Sequence, residues 1–306
     1  MSRLHADFAL LLAAVVWGVA FLFQKSAMEH VGPLTFIAAR GWLAAVALAP
    51  LAWREHRRVP NQAGHAPGWG LWVIALWGGV AFFVAAWLQQ EGIKTATVTN
   101  TGFLTALYVV LTPFVAWAWS GKVPSPAVWP AVALSALGTW LLGGGTLSAL
   151  STGDRLVAAS ALFWAIHVVI TGRAAPFRRP MAFTAAQFAV VGVVSAVGSA
   201  LIETTTLPGL AGAALDILYV GLLSSALTFT ILTVALQYTP PSEAAVIVSM
   251  ETLFAALAAY LMLGERLTAI GWLGSMLILS ATLLLQVGAA IGMQLGRARA
   301  KARPDR

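Results

Sequence analysis

Residues 8–27 read FALLLAAVVWGVAFLFQKSA, and residues 155–172 read RLVAASALFWAIHVVITG. Each is an apolar run of about the length that crosses a bilayer as a helix. Each carries one Trp near its middle, Trp17 and Trp164. Stretches of the same kind recur along the chain, at 34–53, 69–89, 97–119, 128–147, 183–201, 213–236, 244–263 and 269–291. Breakers divide most of them: Gly32-Pro33, the Pro124 and Pro126 segment, Arg178-Arg179-Pro180 and Pro240-Pro241. The expected fold is an all-α integral membrane protein of ten transmembrane helices in two sets of five. Two copies of an odd-numbered unit lie upside down to each other in one membrane, the inverted repeat common in secondary transporters. The expected divisions are a first repeat at 1–150, a second at 151–291 and a basic tail at 292–306.

Composition agrees with this expectation. Of 306 residues, 59% are hydrophobic and 9% charged, and mean hydropathy is +0.84. Soluble domains carry about 25% charged residues. Barrel strands would be about 10 residues long with alternating polarity, whereas these runs approach helix-spanning length. The net charge of +7 lies in loops and tail, so nucleic acid is not an expected partner. The first run is expected to be a retained helix, since no convincing small-residue cleavage site follows it. There is no cysteine and no P-loop, HExxH or GxSxG sequence. No enzyme activity, metal or cofactor is therefore expected.

Loop charges set an orientation. With the N-terminus inside, 13 of the 18 Lys and Arg residues fall on the cytoplasmic side. The positive-inside rule then places both termini in the cytoplasm, in a multi-pass, bacterial-type inner membrane protein. The halves align weakly. An offset of 147 sets Trp17 over Trp164, Phe36 over Phe183 and Arg40 over Gln187; an offset of 143 sets Gly121 over Gly264 and Trp129 over Trp272.

Helical spacing groups the polar residues within spans. Ser160, Trp164, His167 and Thr171 share one face, as do Ala13, Trp17, Ala20 and Gln24. Such faces either line a central cavity or pack against neighbouring helices. The rest of the candidate cavity comprises Phe83, Asn100, Phe103, Tyr108, Ser224 and Thr228. Two further candidates, Arg40 and Glu251, carry charge well inside a span, where charge is costly and a functional candidate by default. Arg40 suits either a carboxylate substrate or a packing role. Glu251 suits either proton coupling or a structural hydrogen bond. His167 is a proton relay or a neutral hydrogen-bonding group. Lys25, nearer a helix end, is expected to reach for the surface. Gly288, Gly292 and Gly296 form a small-residue ridge that suits packing within a monomer or in a homodimer.

The segments Trp17-Gly18-Val19-Ala20-Phe21 followed by Arg40, Gly102-Phe103-Leu104-Thr105-Ala106-Leu107-Tyr108 continuing to Pro113, and Leu263-Gly264-Glu265-Arg266-Leu267-Thr268 resemble the EamA-type drug/metabolite transporters. Within that family the chain is most similar to the YddG-type aromatic amino-acid exporters. The resemblance implies alternating access around a central cavity, with amino acids or related small metabolites as substrates and lipid as surroundings. In many relatives a Pro follows the acid of the ninth helix; here Thr252 does. Small multidrug relatives carry an acid in their first helix, where this chain has Gln24 and Lys25. The coupling is thus open between protons and the substrate's own gradient. Other readings are a nucleotide-sugar or phosphometabolite exchanger, for which Arg40 and Lys25 supply few cations, and a lipid scramblase.

Overall fold

The computed structural model describes residues 1–58, 70–126, 128–142, 151–264, 268–281 and 283–284. Its helices are α1 (Arg3–Ala27), α2 (Pro33–Arg58), α3 (Leu71–Ile93), α4 (Val98–Thr105), α5 (Tyr108–Ser120), α6 (Val128–Leu142), α7 (Thr152–Ala174) and α8 (Pro180–Ile202). A short α9 (Leu207–Gly212) leads into α10 (Ala214–Leu218), which widens into a π-helical stretch (Tyr219–Leu227) and continues as α11 (Thr228–Ala235). The chain goes on through α12 (Pro241–Val248), α13 (Glu251–Leu263) and α14 (Ala269–Ala281). Among the described residues, eight stretches are long and apolar enough to cross a membrane, with α4–α5, α10–α11 and α12–α13 each forming one. The described parts of α6 and α14 are shorter apolar helices; the remainder of the expected spans at 128–147 and 269–291 lies outside the described residues, as does the Gly288–Gly292–Gly296 ridge.

Burial is reversed from that of a water-soluble bundle. Leu201, Ile202 and Leu261 are at least 70% exposed, while Gln90, Thr101, His167, Thr184 and Gln187 are sealed inside. An apolar exterior around a polar interior suits lipid outside and hydrogen bonding within.

The longest shared surface runs between α2 and α8. Glu203, just past the end of α8, accepts from Leu34 N and Thr35 N at 2.8 Å each and from Thr35 Oγ1 at 2.7 Å. Glu55, near the end of α2, accepts from Ala182 N at 2.8 Å and Met181 N at 3.3 Å. The helices are therefore antiparallel, and each N-terminus is capped by a carboxylate from the other. The first N–H groups of a helix have no partner within it, and negative charge there is favourable. Glu203→Ala and Glu55→Ala should each cost about 2 kcal/mol. Lying at opposite ends of the pair, their costs should add. Thermal unfolding of both single variants and the double variant in detergent checks this.

α4 and α12 have the same length, eight residues, and α5 and α13 have thirteen each. Two residues interrupt each pair: Ala106-Leu107 in one, Ser249-Met250 in the other. The tightened bonds match as well. Leu107 N reaches Leu104 O and Val109 N reaches Ala106 O; Met250 N reaches Ile247 O and Thr252 N reaches Ser249 O. Both second segments end on a left-handed Gly, Gly121 at φ 67° and Gly264 at φ 70°, a conformation that glycine adopts without a Cβ clash. All these correspondences keep the 143-residue offset.

Candidate functional site

The two helix breaks meet the middle of α1 and α7 around an internal cavity. It encloses about 60 Å3 of space reachable by water-sized molecules, room for about four waters. Eight of the sequence-predicted residues line it: Trp17, Gln24, Arg40, Tyr108, Trp164, His167, Ser224 and Glu251. The structure places the other four elsewhere. Phe83 stacks on Trp87, with centroids 6.1 Å apart. Asn100 donates to Asp154 Oδ1 at 3.3 Å, near the start of α7. Phe103 packs against the cluster of Ala96, Leu104 and Val157. Thr228 is sealed and donates back to Ser224 O.

The walls are aromatic. Phe229, on α11, lies 4.8 Å from Trp17 and 6.1 Å from Trp164, nearly parallel to the latter. Phe82 sits behind them and meets Trp164, His167, Phe188 and Phe229 edge-on at 4.9–5.5 Å. Edge-to-face arrangements of this kind match the positive rim of one ring to the negative face of the next.

Hydrogen bonds fix both tryptophans. Trp17 Nε1 donates to Ser224 O at 2.8 Å. Ser224 lies in the π-helical stretch, where Thr228 N bonds to Leu223 and Ser225 carbonyls rather than to Ser224. That register leaves the Ser224 carbonyl available to side chains, a use typical of π-bulges at functional positions. Trp164 Nε1 donates to Gln89 Oε1 at 2.8 Å. Indole N–H can only donate, so Gln89 must turn its oxygen to Trp164. Its amide nitrogen then donates to Gln24 Oε1 at 3.0 Å. Gln90 Nε2 donates to Gln24 O at 2.8 Å, tying α3 to α1 again.

Deeper in, His167 Nε2 pairs with Gln187 Oε1 at 2.9 Å, with Thr171 Oγ1 beside it at 3.4 Å. Arg40 is 3% exposed; its Nε donates to Ser225 Oγ at 3.1 Å and its guanidinium lies 5.5 Å from the Phe82 ring centre. Glu251 is 5% exposed, is the first residue after the α12–α13 break, and faces the Tyr108 hydroxyl. Tyr108 is the first residue after the α4–α5 break.

Gln89, Thr105 and Phe229 also line the cavity and are absent from the sequence-predicted set. Gln89 had a signal, since Leu88-Gln89 aligns with Leu236-Gln237. Phe229 had none beyond being one of many aromatics. Lys25, expected to reach for the surface, donates instead to the carbonyls of Ile93, Lys94 and Ala96 at 2.7–3.2 Å. The unpaired carbonyls at the end of α3 offer it closer partners than the headgroup region.

These features define a polytopic membrane protein with a small aromatic-lined cavity between its helices. The chain belongs to the EamA-like transporter family, whose sequence model matches residues 4–144 and again 151–287. An uncharacterized transporter of Archaeoglobus fulgidus is 28% identical over 291 residues, spanning 94% of this chain and 87% of that one. A protein of known crystal structure shares the fold with a TM-score of 0.74 at 18% identity, covering 92% of this chain and 97% of the other. Family membership assigns the chain to transport of small molecules, not to enzymatic catalysis. Among the described residues no cluster of three or more His, Asp or Glu is arranged to hold a metal.

Proposed function

We propose that the chain is a ten-helix carrier of two inverted five-helix repeats that exports aromatic or neutral amino acids and related small metabolites. This is the reading of the YddG-type exporters. The observation that carries it is the aromatic cage of Trp17, Trp164 and Phe229 around the cavity. Flat rings favour ring-bearing or apolar solutes by stacking and edge contacts. The matched breaks at Ala106-Leu107 and Ser249-Met250, and the two separate matches to the family model, support the repeat. Discontinuous helices meeting at mid-membrane are the usual place for a transporter's substrate.

The closures at the two ends support alternating access. At the end of the bundle that holds Arg3, the Arg3 guanidinium pairs with Glu243, and Asp7 Oδ1 accepts from Thr239 Oγ1 at 2.7 Å. These join α1 to the start of α12. At the opposite end, Ser26 Oγ donates to Asp216 Oδ2 at 3.2 Å, joining α1 to α10. Opening to either side breaks one set and keeps the other. Arg3, Arg54, Arg57, Arg173, Arg178 and Arg179 all flank the Arg3 end, which supports cytoplasmic termini in an inner membrane. The protein works as a monomer in this reading. The cavity holds only a few waters, so loading an amino acid requires one wall to move outward.

Counterflow in proteoliposomes tests the proposal. Vesicles preloaded with unlabelled L-phenylalanine or L-tryptophan should accumulate the labelled amino acid above empty-liposome controls, and the uptake should saturate. Absence of protein-dependent counterflow with every aromatic and neutral amino acid would overturn it. The same assay with and without an imposed proton gradient reads the coupling.

A further inference from the structure

The cavity holds one cation and one carboxylate, and neither is paired with the other or with any other charged group among the described residues. Arg40 spends its Nε on Ser225, and its two terminal nitrogens make no hydrogen bond to another described residue. None of the ion pairs among the described residues includes Arg40 or Glu251. Both line the same cavity. The Tyr108 hydroxyl is buried beside Glu251 and makes no hydrogen bond of ordinary geometry to a described residue.

Ionisable groups buried apart in an apolar setting are costly to charge unless a partner arrives. Their signs say what that partner is. A guanidinium presents parallel N–H groups that match a carboxylate. A carboxylate and a phenol oxygen, near aromatic faces, match an ammonium group. A cation alone would leave Arg40 unpaired, and an anion alone would leave Glu251 unpaired. A solute carrying both charges and a ring gives Arg40, Glu251 and Tyr108 a partner at once.

We infer that the cavity binds its solute as a zwitterion, with Arg40 taking the carboxylate, Glu251 and Tyr108 taking the ammonium, and the Trp17–Trp164–Phe229 cage taking the side chain. The inference rests on the amino-acid reading above and assigns its polar recognition. It gives Glu251 a substrate-binding duty in place of proton transfer. It also gives the two broken helices a shared purpose: Tyr108 and Glu251 occupy equivalent positions after the two breaks and act on the same group.

Equilibrium binding to the full chain in lipid nanodiscs tests this with three probes: L-phenylalanine, phenethylamine and 3-phenylpropionate. The wild-type protein should bind phenylalanine at least about tenfold more tightly than either one-ended probe, since each loses one charge-assisted contact. Arg40→Gln should erase the preference for phenylalanine over phenethylamine, and Arg40→Lys should restore part of it. Glu251→Gln should erase the preference over 3-phenylpropionate and leave that probe's own affinity unchanged. The inference is overturned if the wild type binds either one-ended probe as tightly as phenylalanine, a result independent of how the variants fold. It is also overturned if folded variants weaken all three probes alike, which is the signature of a structural role. Amino-acid counterflow that persists in either case sinks this assignment alone. Loss of binding for all three probes together with absent counterflow sinks the amino-acid reading with it.

Discussion

Gly18→Val should destabilise the protein by about 3 kcal/mol and cut transport by about tenfold or more. A Cβ at Gly18 would lie 2.6 Å from the Glu251 carbonyl oxygen, 2.6 Å from Phe254 Cβ and 2.8 Å from Ala255 N. Two of the three atoms are backbone, so no rotamer change relieves the overlap. α1 and α13 must separate, and interiors packed like crystals do not absorb such a shift locally. The residues displaced are those that build the cavity. Trp17 adjoins Gly18 and holds Ser224 O by a 2.8 Å bond, while Glu251 takes the blow directly. A loss of 1.4 kcal/mol at the site is already a factor of ten. Gly70→Ala serves as the control, because no described residue lies within 4 Å of its Cβ position. As the N-cap of α3 it should cost about 1 kcal/mol or less and leave the counterflow rate unchanged. Unfolding and transport measured on the two variants side by side check the prediction.

The contrast between those glycines shows what the sequence disclosed and what it withheld. The spans were legible, because a helix in lipid must be apolar over its whole length and an apolar run needs no partner to be recognised. The cavity face was partly legible. Trp17 and Gln24, or Trp164 and His167, sit on one side of a helix by spacing alone. Spacing does not say which side faces inward when both are apolar. Phe82 and Phe83 are adjacent on α3, about 100° apart around the axis. Phe82 became the buried hub of the ring cluster and Phe83 stacked on Trp87. The helix breaks were invisible. Thr105-Ala106-Leu107-Tyr108 and Val248-Ser249-Met250-Glu251 contain no Gly or Pro, and hydropathy does not register a tightened hydrogen bond. Glu251 was expected about two turns inside a continuous helix; it begins a new one. The end-to-end capping by Glu55 and Glu203 was equally hidden, since each acid lies beyond its own apolar run and caps a helix more than 120 residues away in sequence.

Gln89→Leu should cost about 2–4 kcal/mol and raise the solute concentration needed for half-maximal transport, whereas Gln89→Glu, compared at about pH 5 where a buried carboxyl takes up a proton, should cost far less. Gln89 is a junction of four helices. Its oxygen accepts from Trp164 Nε1 on α7 at 2.8 Å and from Thr105 Oγ1 on α4 at 3.3 Å, and its nitrogen donates to Gln24 on α1 at 3.0 Å. Leucine has nearly the same reach but takes the partner from an indole N–H, a hydroxyl and an amide oxygen, all at the wall of the cavity. Each group left without a partner costs about 1–3 kcal/mol, and less where cavity water reaches it. Hydrogen bonds between membrane helices measure smaller, near 0.6–2 kcal/mol, which keeps the total at about 2–4 kcal/mol. As a neutral acid, glutamate keeps a carbonyl acceptor for Trp164 and Thr105 and donates its hydroxyl to Gln24 Oε1, so all three partners stay satisfied. The two substitutions therefore separate the acceptor role from mere bulk. If the leucine and glutamate variants unfold at the same temperature and transport alike, Gln89 fills space and does not hold Trp164. If only leucine loosens the protein and weakens transport, the orientation of the Trp164 wall depends on one amide oxygen. The cage would then be set by hydrogen bonds between the helices as much as by ring packing.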